Sequence, residues 1–238
     1  MVAAASGSTV AAIRRPGARV VSGVQHFAAG VVIAALVGEV MPDLREQGHL
    51  RSAVGGFASG VTLLLILAAM GRKLEARTAT SAGSAKASRA WVALLPLGLL
   101  VTVGIDLLLD GLLVGLGVAI GSKTGIILTI ALTLEILFLT VSVAGELADR
   151  GLSARRAVAI CTGLGLATAV GAVGGAALLG QAGGSILAAG LAFGAAALLY
   201  LAVEELLVEA HEEAETPLLS AMFFLGFLII YVLGELGG

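Results

Sequence analysis

The chain has 238 residues, of which 58% are hydrophobic and 13% charged, and its mean hydropathy is +1.06. Soluble domains run at about half apolar and about a quarter charged, so this is the composition of an integral membrane protein. The net charge of −2 excludes little, but a single cysteine, Cys161, excludes an internal disulfide and a Cys-rich metal site. The three histidines (His26, His49 and His211) all lie away from the middle of an apolar run. A metal site inside the membrane must therefore use oxygen ligands. There is no phosphate loop, nucleophile elbow or CxxC pair, so soluble enzyme chemistry has no support. No cofactor and no nucleic-acid partner are expected.

From the N-terminus, Met1–Ile13 is apolar and is followed by Arg14-Arg15-Pro16-Gly17. That order, with arginines after the apolar stretch, is wrong for a cleavable signal peptide. Residues 1–19 read as a short N-terminal segment and 20–237 as one transmembrane domain. Apolar runs follow at roughly 20–42, 53–71, 91–121, 124–146, 157–181, 185–209 and 217–236. Each reaches the length of about 17–25 residues that a membrane helix needs, and the third exceeds it. The runs are continuous, not alternating, which argues against barrel strands and for an all-α polytopic bundle of seven helices. The segment 72–90 is basic and rich in Ala, Ser and Thr, and reads as a mobile loop. Pro96 either bends the third span or is absorbed by its first turn. Spans 157–181 and 185–209 are dense in Gly and Ala. Close helix packing, as at Gly171-x-x-x-Gly175, is the favoured reading over a transport hinge.

Orientation follows from Lys and Arg. The N-terminal segment has Arg14, Arg15 and Arg19, segment 72–90 has Arg72, Lys73, Arg77, Lys86 and Arg89, and segment 147–156 has Arg150, Arg155 and Arg156. With seven spans these share one side, against Arg45, Arg51 and Lys123 on the other. A multi-pass protein of the cell membrane, N-terminus inside and C-terminus outside, is expected.

Against that frame of charge the acids stand out. Asp106 and Asp110, four apart, share one face of the third span, and Glu135 lies near the middle of the fourth. All fourteen basic residues lie outside the apolar runs, so these acids have no counter-charge of their own. They must hold protons or attract cations, and an ionisable group at bilayer depth is by default a functional-site hypothesis. The bland alternative is a set of protonated acids bonded to backbone or to hydroxyls such as Thr133. Glu39 and Asp43 fall towards the outer mouth. Glu204, Glu205 and Glu209 fall towards the cytoplasmic end, where a solvated helix end accounts for Glu209 onward. Glu146 either continues the path from Glu135 or ends its span.

Four stretches in order resemble the ZIP (zinc/iron permease) family of divalent-metal transporters. His26-Phe27-Ala28-Ala29-Gly30 through Glu39-Val-Met-Pro42-Asp43 resembles the family's second helix, and Asp106-Leu-Leu-Leu-Asp110-Gly111 occupies its fourth-helix motif. Glu135-Ile-Leu-Phe-Leu139 occupies the fifth-helix motif. Tyr200 to Glu209, then Pro217 to Phe227, resemble the seventh and eighth helices. Family histidines are replaced by Glu39, Asp106 and Glu135, neighbouring ligand positions by Leu107 and Ile136, and an acid by Leu139. Motif prolines are lost at Leu109 and Phe138, so straighter helices are expected, and there is no room before Arg14 for a full first helix. The resemblance implies one reduced metal site, Asp106, Asp110 and Glu135 with Glu205 as a fourth ligand, and Glu39 recruiting the ion.

The function so implied is uptake of a divalent cation, with the lipid bilayer and a second copy of the chain as further partners. Carboxylates suit Mn²⁺, Mg²⁺ or Ca²⁺, and also bind Zn²⁺ or Fe²⁺. The alternatives are a non-transporting scaffold or partner subunit, and a proton-linked carrier of another solute.

Overall fold

The computed structural model describes residues 2–13, 17–81, 95–214 and 216–236, and among these there are helices and no strand. In chain order the helices are α1 Val2–Ile13, α2 Ala18–Gln47, α3 Leu50–Ser81, α4 Leu97–Ile120, α5 Ser122–Asp149, α6 Ala154–Leu179, α7 Gly184–Ala210 and α8 Pro217–Leu236. Seven of them, α2 to α8, are long and apolar enough to cross a membrane. Continuous Leu, Ile, Val and Ala runs fold this way because a helix satisfies every backbone donor and acceptor within itself, which hydrocarbon demands. The chain is thus the all-α polytopic bundle expected.

Glycine sets how the helices meet. In the extensive α4–α6 contact, Gly111 and Gly115 lie against the backbone of Thr168 and Ala172, and Gly171 and Gly175 against that of Leu108 and Leu112. A side chain at any of the four would run into main chain, so the Gly171-x-x-x-Gly175 stretch does serve close packing. The α2–α8 pair repeats the device with Gly30 against Phe223 and Gly226 against Phe27. Buried apolar residues form two clusters. One holds Val31, Val32, Leu113, Leu132 and Leu198, and the other holds Ala4, Leu107, Ile136, Leu147 and Cys161. Helices α4 and α5 contribute to both, and the three acids fall along them between the two.

Several details differ from the sequence reading. The short N-terminal segment is itself structured: Val2–Ile13 is a helix with Ala4, Ser8 and Ala11 buried, and Gly7 sits against Leu137 and Thr140 of α5. Its small residues allow that approach. Residues 72–81, read as loop, continue α3, because Arg, Lys, Leu, Glu and Ala are good helix formers beyond the membrane edge as well. The rest of the expected loop, 82–90, lies outside the described residues, as does 91–94 of the third run. Pro96 immediately precedes α4, so it sets the helix start and bends nothing. Helices α4 and α5 run without a break, as the lost prolines imply. In contrast, α2 and α7 each carry a π-helical turn, at Leu36–Val40 and Leu201–Leu206. In α2 the wide turn directly precedes Met41-Pro42. A proline there lacks the N–H and crowds the carbonyl one turn back, which a π turn accommodates.

Candidate metal centre

Helices α4 and α5 are joined by Gly121 alone, in an extended conformation, and so form a tight antiparallel hairpin. Gly117 and Gly125 let the two strands of the hairpin close on each other through Leu128 and Val118. Asp106 lies fifteen residues before Gly121 and Glu135 fourteen after it. At about 1.5 Å per residue, both reach the same depth. Asp110 sits one turn nearer the connection on the same face as Asp106. The hairpin therefore brings together, by helix geometry alone, three acids that are far apart in sequence.

One carboxylate oxygen from each of Asp106, Asp110 and Glu135 lies within 4.8 Å of the others. Ligand oxygens on opposite sides of a cation bound at about 2.1–2.5 Å are separated by no more than about 4–5 Å, so a single ion can touch all three. Asp110 and Glu135 are 3% and 1% exposed, whereas Asp106 is only partly buried. Carboxylates held this close repel one another unless a proton or a cation sits among them. Asp106 Oδ2, Asp110 Oδ2 and Glu135 Oε2 are buried with no hydrogen-bond partner. Each orphaned acceptor costs about 1–3 kcal/mol, and more when charged. Thr133 is exposed and does not serve them. Leu107 and Ile136, at the adjacent ligand positions of the resemblance, are buried in apolar packing.

The two remaining sequence candidates are not in this group. Glu205 sits in the π turn of α7, close enough to act electrostatically on Asp106, Asp110 and Glu135 but outside the 4.8 Å cluster. Glu39 belongs to a different place, the end of the bundle where α4 turns into α5. There its Oε1 lies 3.9 Å from Lys123 Nζ, and neighbouring Asp43 accepts a hydrogen bond from Thr124 Oγ1 at 2.9 Å. A paired Glu39 at a helix end is not a ligand of the mid-membrane cluster.

At the opposite end, Glu209 is held by Gln25 Nε2 and, at 3.3 Å, by Ser142 Oγ. Glu146 pairs with Arg150 Nε at 2.8 Å, which makes it a helix-end ion pair. These groups border a cavity of about 460 Å³. His26, buried in α2, sets its ring edge-on to His211 at 5.2 Å. A second cavity, of about 200 Å³, lies between α3, α4 and α7 and reaches Asp106, Tyr200, Glu205 and Arg72. Sequence reasoning missed Arg72, because it follows the apolar run instead of interrupting it. The signal available was its place one residue past that run, where an arginine stem can fold back along a helix. No protein-family model matches the sequence, and no curated protein matches it significantly.

Proposed function

We propose that the chain is a membrane carrier of a divalent cation, with Asp106, Asp110 and Glu135 holding the ion near the bilayer midplane. The observation that supports this most is the orphaned carboxylate cluster. Three acids from one hairpin each leave an oxygen without a donor, and the ion pairs among the described residues, Lys123–Glu39 and Arg150–Glu146, lie elsewhere. A dication supplies the missing partner for all three at once. Asp106 and Asp110 are the tenth and fourteenth of 24 residues in α4, and Glu135 is the fourteenth of 28 in α5. A site halfway along both helices suits alternating access from two sides. The resemblance to the ZIP family favours movement towards the cytoplasm, and the distribution of Lys and Arg favours a cytoplasmic N-terminus.

A second reading, exchange of protons through the same acids, draws on the same crowding of carboxylates, which a proton relieves as a cation does. The two are separated in proteoliposomes loaded with a Mn²⁺-sensitive dye and a pH dye. Carriage of the cation gives Mn²⁺ uptake that Asp110→Asn abolishes. A proton flux that persists with all divalent ions chelated supports the second reading, and flux of neither kind supports a scaffold.

A further inference from the structure

Among the described residues no base is ion-paired with the acid cluster, yet a base lines a cavity that reaches it. The membrane-crossing part of α3 ends at Lys73, which places Arg72 in its last turn. The preceding residue, Gly71, lies against the Thr102 hydroxyl of α4, so α3 and α4 are close there. Arg72 and Thr102 both border the 200 Å³ cavity whose wall also carries Tyr200, Glu205 and Asp106. A cavity of that size, with five polar side chains on an otherwise apolar wall, has room for several waters. Asp106 is the one member of the cluster that is not fully enclosed, and its Oδ2 has no partner. Arg72, Asp106 and Glu205 thus border one space.

We propose that Arg72 is a tethered counter-cation for this site. Its guanidinium shares the field of Asp106 and Glu205 with the transported dication, weakening the ion's hold and speeding its release. The proposal rests on the reading of Asp106, Asp110 and Glu135 as a cation site. Physically, a positive charge within a protein a few turns from a dication repels it with an energy that water screens only in part. Once the ion has left, the same charge offsets carboxylates that otherwise repel one another. Arginine suits this role, because its charge is permanent, its head is weakly hydrated and its stem can lie along the apolar wall. A carrier that bound its ion without such a competitor would bind tightly and release slowly. Arg72 therefore trades affinity for turnover.

The test is titration of the purified full-length protein with Mn²⁺ at low ionic strength, for wild type, Arg72→Gln, Arg72→Met, Arg72→Lys and Asp106→Asn. Removing the charge should tighten Mn²⁺ binding on the order of tenfold. It should also slow Mn²⁺ dissociation in stopped flow, while Arg72→Lys stays near wild type. Two neutral variants, one polar and one keeping the apolar stem, guard against a folding defect in either. Unchanged or weaker binding in both, with Asp106→Asn still abolishing binding, overturns the role of Arg72 and leaves the cation site standing. Wild-type binding by Asp106→Asn overturns the site and this proposal together.

Discussion

What separates Asp106, Asp110 and Glu135 from the chain's other acids is the company each carboxylate keeps. Glu39 faces Lys123, Glu146 faces Arg150, and Glu209 accepts from Gln25 and Ser142. The three mid-helix acids keep oxygens that nothing donates to. Since imidazole is the ligand better suited to zinc, Asp106→His combined with Glu135→His should raise the Zn²⁺/Mn²⁺ preference about tenfold in competition titrations. A folded double variant with the wild-type ratio would contradict the ligand roles of both. The three acids were legible in the sequence because an ionisable residue inside an apolar run is costly enough to need a reason. The pairing of Lys123 with Glu39 and the place of Arg72 on the cavity that reaches Asp106 were not. Both bases flank apolar runs, and only the packing of the helices shows what they lie beside.

Helix packing was legible where glycines recur at a spacing of four, because only a bare backbone permits contact at that distance. Gly171 and Gly163 give a matched test. Gly171 lies against Leu108 and Leu112 of α4, whereas Gly163 has open space around its Cα. Gly171→Val should cost about 1–3 kcal/mol of stability through overpacking, and Gly163→Val should cost almost nothing. Thermal unfolding in detergent measures both, and equal losses would contradict the packing described here. The π turns in α2 and α7 were not legible to the same degree. Pro42 marks the first, but nothing in Leu201-Ala-Val-Glu204-Glu205-Leu206 marks the second. Their placement matters because each carries acids, Glu39 in one and Glu204 and Glu205 in the other. Helix starts were misjudged where apolarity did not fall at the boundary. The third run continues upstream of Pro96, while α4 begins after it.

On the scale of the whole molecule, the number of crossings was the most legible feature, since seven continuous apolar runs became seven apolar helices. The orientation proposed for that bundle rests on charge, not on packing. A cysteine placed within 78–88 should react with a membrane-impermeant maleimide only when the cytoplasmic face is open. A reporter fused after Gly238 should be active outside. Labelling of 78–88 from the outside of intact cells would contradict the orientation. The α4–α5 hairpin then sets where the candidate metal centre sits. Its one-residue connection levels Asp106 with Glu135 halfway along two of the crossings, and the cavity beside Arg72 reaches Asp106.

The most direct measurement is calorimetric titration of wild type, Asp106→Asn and Asp110→Asn with Mn²⁺ in two buffers of different ionisation enthalpy. Three carboxylates packed this closely need a proton among them when no cation is present, and a dication must displace it, so wild type should bind with proton release. Its affinity should therefore rise with pH. Each Asn variant keeps the size and removes a charge. It should weaken binding at least about a hundredfold, the scale expected when a charged ligand is lost, and leave thermal stability unchanged or higher. Binding equal to wild type in both variants, or an enthalpy that does not change with buffer, would contradict the account.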